Sequence, residues 1–488
     1  MLRKLNIIIF FVITLSCLLK SQIIEPLYDY GSSRLSSSKY YFGEGLLKKS
    51  EQELTKAMMK FSETVNKDEV VLLQSMIDQS YGNNKISEVS LYRFIRENPN
   101  SPIISFAAMQ RAYLAFEHKN YDLAEKLFGE SKKIADSEYQ KRLNPVFKEF
   151  SNNALYWRGV SLSQRGKYQE AQQYFEECYR NYPKGKFADD ALFALGMGAE
   201  VNRHFDAALT YYRTLQKSYP YSNSFIASRV REINDDLILR DPVSALVTIE
   251  STDQILKRIQ SGDSLGLQYE PQSFSEQASE EIMYLKGEAY NLSGNYEQSA
   301  SFFRGFLETF TQSDLINYVR LGYAWALLNK GQFEESINTY NTIIETEKLE
   351  DSRVKALAQL YKAISLKKMG DLEQARKELS NLSVESGFPF LSQVLLELGQ
   401  IYYETGEYDK AAKTLDRAER DANEALVQVR IQILSGAAYL ELKKWDKAII
   451  AYKTAEQIAL KSNYIFMPQK DFYLSQARLK LGIAYIRN

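Results

Sequence analysis

Histidine, the side chain that titrates nearest neutral pH, occurs twice in the 488 residues, as His118 and His204. Both stand in or beside turns between helix-forming stretches, where a solvated surface role outweighs proton transfer. The two cysteines, Cys17 and Cys178, lie far apart in sequence. No Cys-x2-Cys pair, His-Glu-x2-His helix or Gly-x4-Gly-Lys-Ser/Thr loop is present, so redox, zinc and phosphate chemistry lack their usual ligand sets. Carboxylates are abundant, but adjacent pairs such as Glu280-Glu281 read as surface charge, and nothing groups them into an acid and a base. No catalytic residue, cofactor or metal site is expected, and an accessory role to an enzyme would need a catalytic module that these residues do not supply.

With chemistry set aside, composition bears on binding. Lys and Arg number 61 against 62 Asp and Glu, a formal net charge of -1, and no run of five basic residues occurs. Nucleic acid is therefore not an expected partner, because phosphate neutralisation needs clustered cations. A chain this long outgrows a single core. With only 10 Pro and 23 Gly, it reads as ordered helix and not as linker.

The first residues have the layout of an export signal (residues 1–21). Arg3 and Lys4 precede an apolar run from Ile7 to Leu19 that is too short to span a bilayer comfortably. Three readings stay open: cleavage after Ser21 with soluble export, a lipid anchor at Cys17 within Leu15-Ser16-Cys17, and an uncleaved anchor. Localisation is expected to be periplasmic or outer-membrane associated, with membrane contact only through such an anchor at Cys17. Cleavage leaves Cys178 alone, so no internal disulfide can form. Cys178 occupies a repeat position that calls for a small residue, and is expected to be buried.

Self-similarity supplies the organisation. Gly159, Ala171, Phe175, Cys178 and Pro183 return 37 residues later as Gly196, Ala208, Tyr212, Leu215 and Pro220. In the second half Gly287, Ala324, Ala363, Gly399 and Gly436 hold the small position, each followed after 12 residues by Ser299, Ser336, Ala375, Ala411 and Ala448. An earlier copy is carried by Ala112, Ala124 and Phe128, and a last first helix by Gly482 to Tyr485. The physical reason is close approach: a Gly or Ala on one helix faces an Ala on the next, and a large residue four positions on fills the space above. Turns such as Gly166-Lys167-Tyr168 and Gly294-Asn295-Tyr296 close each hairpin. Five regions follow: the signal; an N-terminal helical region with degenerate repeats (22–100); a first repeat block (101–250); a loop or hinge rich in Ser, Gly, Asp and Gln (251–275); and a second block with a terminal capping helix (276–488).

These spacings resemble the tetratricopeptide-repeat superfamily, over about 350 residues. Ala154 to Tyr219 is most similar to bacterial cell-envelope repeats of the TolA-binding coordinator and outer-membrane assembly lipoprotein type. The resemblance rests on Tyr156, Gly159, Gly166-Lys167-Tyr168, Ala171, Phe175, Asn181-Tyr182-Pro183, Ala191-Leu192-Phe193 and Gly196. It implies an all-α fold, a right-handed superhelical solenoid of tetratricopeptide helical hairpins, and protein partners in the cell envelope.

In such a solenoid the first helices line a concave groove. The positions that project into it hold Phe106, Met109, Tyr113, Phe116, Tyr156, Phe193 and Met197 in the first block, and Tyr284, Tyr318, Trp325 and Tyr403 in the second. Aromatic and Met side chains there suit a docked helix or peptide. A tightly wound superhelix instead buries many of them against neighbouring helices. Tyr156 and Trp325 are the first choices for contact, since amphipathic rings suit a wet groove. A clamp for a terminal carboxylate is not expected, because the slots that would need Lys and Asn hold Tyr156 and Val160, Phe193 and Met197, or Leu396 and Gln400. The expected function is a non-catalytic envelope adaptor holding a partner helix or peptide in the groove. The alternative is a structural subunit of an envelope secretion or outer-membrane assembly complex, packed by its outer faces.

Overall fold

A computed structural model describes residues 33–60, 67–261, 271–346, 351–463, 467 and 469–487. The expected signal segment and Cys17 lie outside these residues. Among the described residues there are helices and turns but no strand, and no helix is long and apolar enough to cross a membrane.

The chain divides into two compact units, Met1–Leu215 and Gln216–Asn488. The first holds five hairpins: α1 (Ser33–Gly43) with α2 (Leu47–Lys60), α3 (Lys67–Ser80) with α4 (Asn84–Glu97), α5 (Ile104–Glu117) with α6 (Tyr121–Arg142), α7 (Pro145–Gln164) with α8 (Tyr168–Asn181), and α9 (Ala188–Val201) with α10 (Phe205–Ser218). The second holds six: α11 (Phe225–Ile238) with α12 (Pro242–Gln260), α13 (Pro271–Leu292) with α14 (Tyr296–Thr309), α15 (Ile316–Lys330) with α16 (Phe333–Ile344), α17 (Ser352–Met369) with α18 (Leu372–Val384), α19 (Leu391–Glu404) with α20 (Tyr408–Asp421), and α21 (Ala425–Glu441) with α22 (Trp445–Lys461). A single helix, α23 (Lys470–Arg487), follows.

Each hairpin is built by the same local devices. Side chains cap the second helices: Asn120 accepts from the Leu123 amide, Asn295 from Gln298, and Asp371 from Gln374. The preceding turn residue sits in the left-handed region, as Gly294 at φ 78° and Gly370 at φ 98°. Where glycine is missing the chain keeps the conformation regardless, with Lys119, Arg203, Arg240 and Lys443 at φ 58–63°.

The spacing of small and large residues becomes a set of contacts. A β-carbon added at Gly159 would stand 2.7 Å from the Phe175 ring, at Gly196 2.4 Å from Tyr212, and at Gly287 2.4 Å from Phe303. The same addition at Gly399 would stand 2.8 Å from Leu415, and at Gly436 2.6 Å from Tyr452. In all five cases the partner lies 16 residues on, one turn beyond the Ala or Ser of the second helix. Hydrophobic cores are correspondingly local and chained, each shared by neighbouring hairpins, as in Phe303, Phe306, Val319 and Tyr323, or Ala363, Ala375, Leu379 and Val394.

Two regions are defined more sharply than the sequence reading placed them. The N-terminal region with eroded repeats forms two regular hairpins, α1–α2 and α3–α4. The hinge expected over 251–275 is helical at both ends, because α12 runs to Gln260 and α13 starts at Pro271. The reason is burial: Leu256 and Ile259 on α12 join Ile226, Ile233, Ile249, Ile282 and Leu285 in one cluster that bridges α11, α12 and α13. Pro271 opens α13, where a missing amide costs nothing. Residues 262–270 lie outside the described residues.

Candidate partner-binding face

In the first unit α1 lies against α3 and α5 against α7, and in the second α11, α13, α15 and α17 lie against one another in succession, as do α19, α21 and α23. Side chains on their shared face are the candidates for partner contact.

In the first unit that face is largely closed. Phe106, Met109, Phe116, Tyr156 and Phe193 are buried, and Tyr113 and Met197 are half-buried. The Tyr156 ring lies flat on Phe187, with centroids 4.6 Å apart and planes within 2°. It is 2% exposed, which removes it from a free groove. The cover comes from the residue preceding α9, so the next hairpin supplies the lid. Trp157, one residue on, is the true centre of this region. Its ring meets Tyr113 at 5.3 Å, Phe116 at 5.0 Å and Tyr156 at 5.6 Å, all edge to face. Burial raises the Tyr113 and Tyr156 phenols above their usual range, so both stay neutral.

The second unit keeps its face more open. Tyr284 on α13, Tyr318 and Trp325 on α15 and Tyr403 on α19 are all half-buried. Tyr318 donates from its hydroxyl to Asp351 at 3.3 Å. The Trp325 ring leans on Tyr361 of α17 at 4.9 Å and 57°. Tyr403 packs on Tyr408 at 5.5 Å. Carboxylates accompany these rings. Glu281 and Glu288 flank Tyr284 along α13, and burial raises both, Glu288 to about 7. Glu288 reaches across to α15, where its Oε1 lies 2.6 Å from the position a Gly322 β-carbon would take. Gly322 therefore makes room for a carboxylate between two first helices.

Further along, Lys367 of α17 and Arg430 of α21 converge on Glu397 of α19, Arg430 at 2.9 Å, and Gln400 accepts from Lys367 at 3.0 Å. Burial pushes the Glu397 carboxyl up, but the two cations outweigh it and hold it below the usual range. This bridge ties three successive first helices, and its groups are already satisfied by one another.

Sequence reasoning missed Trp157, Phe187, Tyr361, Glu288 and the Glu397 bridge. Only Glu397 carried a signal, as a lone acid within the apolar stretch Val394 to Ile401. Cys178 lies where expected: it is buried, its Sγ donates to Asn152 Oδ1 at 2.8 Å, and burial raises the thiol far above its usual value. Both histidines are at turns, next to the left-handed residues Lys119 and Arg203.

Two family models match the chain: a tetratricopeptide repeat-like domain over residues 329–467, and a tetratricopeptide repeat over residues 153–185. No curated protein sequence matches. Among solved structures, a tetratricopeptide repeat protein from Parabacteroides merdae is similar at 18% identity, covering 58% of this chain and 98% of its own, with a TM-score of 0.45. Yeast Tom70 is similar at 12% identity over 92% of this chain and 96% of its own, with a TM-score of 0.43. The Cut9–Hcn1 hetero-tetramer of the APC/C matches at 13% identity over 95% of this chain and 98% of its own, with a TM-score of 0.34. With the glycine-centred hairpins and both family matches in hand, residues 153–185 and 329–467 are tetratricopeptide repeats, a repeat type that serves as a scaffold for protein–protein interaction.

Proposed function

We propose that this protein is an exported adaptor of the bacterial cell envelope, and that the first-helix face of its second unit holds a helix or peptide of another envelope protein. The observation that carries the reading is the half-buried series Tyr284, Tyr318, Trp325 and Tyr403, spread over three first helices of one unit. Rings that keep one edge accessible are suited to anchoring a partner, since they add large contact area at little entropic cost. Envelope location is supported by the signal-like residues 1–21 and by the likeness of residues 154–219 to repeats of the TolA-binding type, with Cys17 as the site of any lipid anchor. Substituting Trp325→Ala and Tyr318→Ala together abolishes partner capture after crosslinking in cells while the helical signal of the folded chain is retained at growth temperature, although loss of the Tyr318 bond to Asp351 lowers the melting temperature. Retention of the same partners by that variant would contradict the reading.

One observation favours a second reading, a subunit of a secretion or assembly complex packed by its outer faces. Val243 and Val247 lie one turn apart on α12, the outer helix of its hairpin, and are 70% and 67% exposed. A partner lost on Val247→Glu and kept on Trp325→Ala favours this arrangement.

A further inference from the structure

Helix α23 has two apolar faces. The inner one places Ala477 and Ala484 in full burial against the hairpin α21–α22, with Leu474 and Leu481 beside them. The outer one carries Phe472, Leu479 and Ile486 at seven-residue intervals, 56%, 66% and 87% exposed. Seven residues is nearly two turns, so the three side chains form one straight stripe along solvent. Ser475 and Gly482 flank that stripe, and nothing comes within 4 Å of where a Gly482 β-carbon would stand. In five hairpins the glycine of the first helix meets a large side chain, whereas the glycine of α23 is left bare.

We infer that a second copy of this chain packs on this outer face, with the two α23 helices antiparallel about a two-fold axis through Leu479. The pattern is its own complement. Reversal about Leu479 sets Phe472 of one copy opposite Ile486 of the other, seven residues either side of the centre. Asp471 and Arg487, both exposed, stand eight residues either side, so each acid falls beside the base of the other copy. A parallel arrangement would stack like charge on like charge at both ends. The small Ser475 and Gly482 let the backbones approach. Arg478 on one flank is occupied by Glu456 of its own chain at 2.7 Å, and Lys480 lies on the other flank. Self-complementarity of this kind is what a two-fold interface requires.

Sedimentation of the full chain from about 1 μM to about 100 μM reads the assembly, the range suited to a single-helix interface. The expected result is a shift from 56.2 kDa towards twice that mass. Leu479→Glu weakens the dimer by roughly 30-fold or more, the loss of a central anchor, with an unchanged melting curve because Leu479 is exposed. Orientation is read by oxidising mixed single-cysteine chains in a background in which Cys17→Ser and Cys178→Ala remove both native thiols. Antiparallel pairing joins Phe472→Cys to Ile486→Cys, and not Phe472→Cys to itself, since those positions are separated by about 21 Å along the axis. A monomer at every concentration, a dimer indifferent to Leu479→Glu, or self-linked Phe472→Cys would each overturn the inference.

Discussion

The Ser299 hydroxyl donates to the carbonyl of Gly287 at 2.9 Å, tying the second helix of one hairpin to the first across 12 residues. Ser336 makes the same bond to Ala324 at 2.8 Å in the next. The position that other repeats fill with Ala thus accepts Ser because a helical carbonyl with a spare lone pair lies opposite. Replacing Ser299 with Ala leaves that carbonyl its helical bond, so thermal unfolding should register a loss of only about 0.5–1 kcal/mol. Ser299→Val, which puts bulk into a fully buried contact, is expected to cost about 1–3 kcal/mol.

Two glycines of α9 give opposite outcomes. At Gly196 an added methyl would meet the Tyr212 ring at 2.4 Å, whereas at Gly198 nothing lies within 4 Å. Gly196→Ala is expected to destabilise by about 1–3 kcal/mol, and Gly198→Ala to stabilise by up to about 1 kcal/mol through helix propensity. Denaturant unfolding of both variants checks the sign as well as the size.

Lys443 holds a left-handed turn at φ 58° where four of the other second-unit hairpins have glycine. Its side chain is exposed, so Lys443→Gly removes strain without removing a core contact. The variant should melt higher, by roughly 1 kcal/mol of added stability.

The repeat was legible because its determinants are local and steric. Gly159 and Phe175, or Gly436 and Tyr452, must fit each other within one hairpin, so type and spacing survive as a pattern. The hairpins α1–α2 and α3–α4 escaped because they pack without that glycine pair. The hinge bounds of 251–275 overlap helix at their ends, where Leu256 and Ile259 are buried, and the Ser- and Gly-rich residues 262–270 lie outside the described residues. The fate of the groove aromatics was not readable at all for Tyr156, whose cover, Phe187, comes 31 residues later and from another hairpin. Burial across hairpins depends on superhelical geometry, which position within a repeat does not encode.

Two carboxylates of the second unit should bend the stability curve in opposite senses. Glu397 is held below its usual range by Lys367 and Arg430, so its contribution is present above the unfolded value of 4.5 and is lost as pH falls through the lower folded value. Glu288 is raised from 4.5 to about 7 by burial, so the folded state binds the extra proton and stability declines as pH rises between those values. Melting curves against pH should therefore show Glu397→Gln flattening the acid limb and destabilising at neutral pH, where two cations lose their partner. Glu288→Gln should flatten the decline towards pH 7 and stabilise above it.

Site-specific photocrosslinking in growing cells tests the central claim most directly, with the reactive side chain placed at Trp325 on the first-helix face or at Val243 on the outer face. A reproducible protein adduct at 325, absent at 243, is the predicted result. Adducts at 243 with none at 325 would contradict a partner-binding first-helix face and assign the contact to the outer helices.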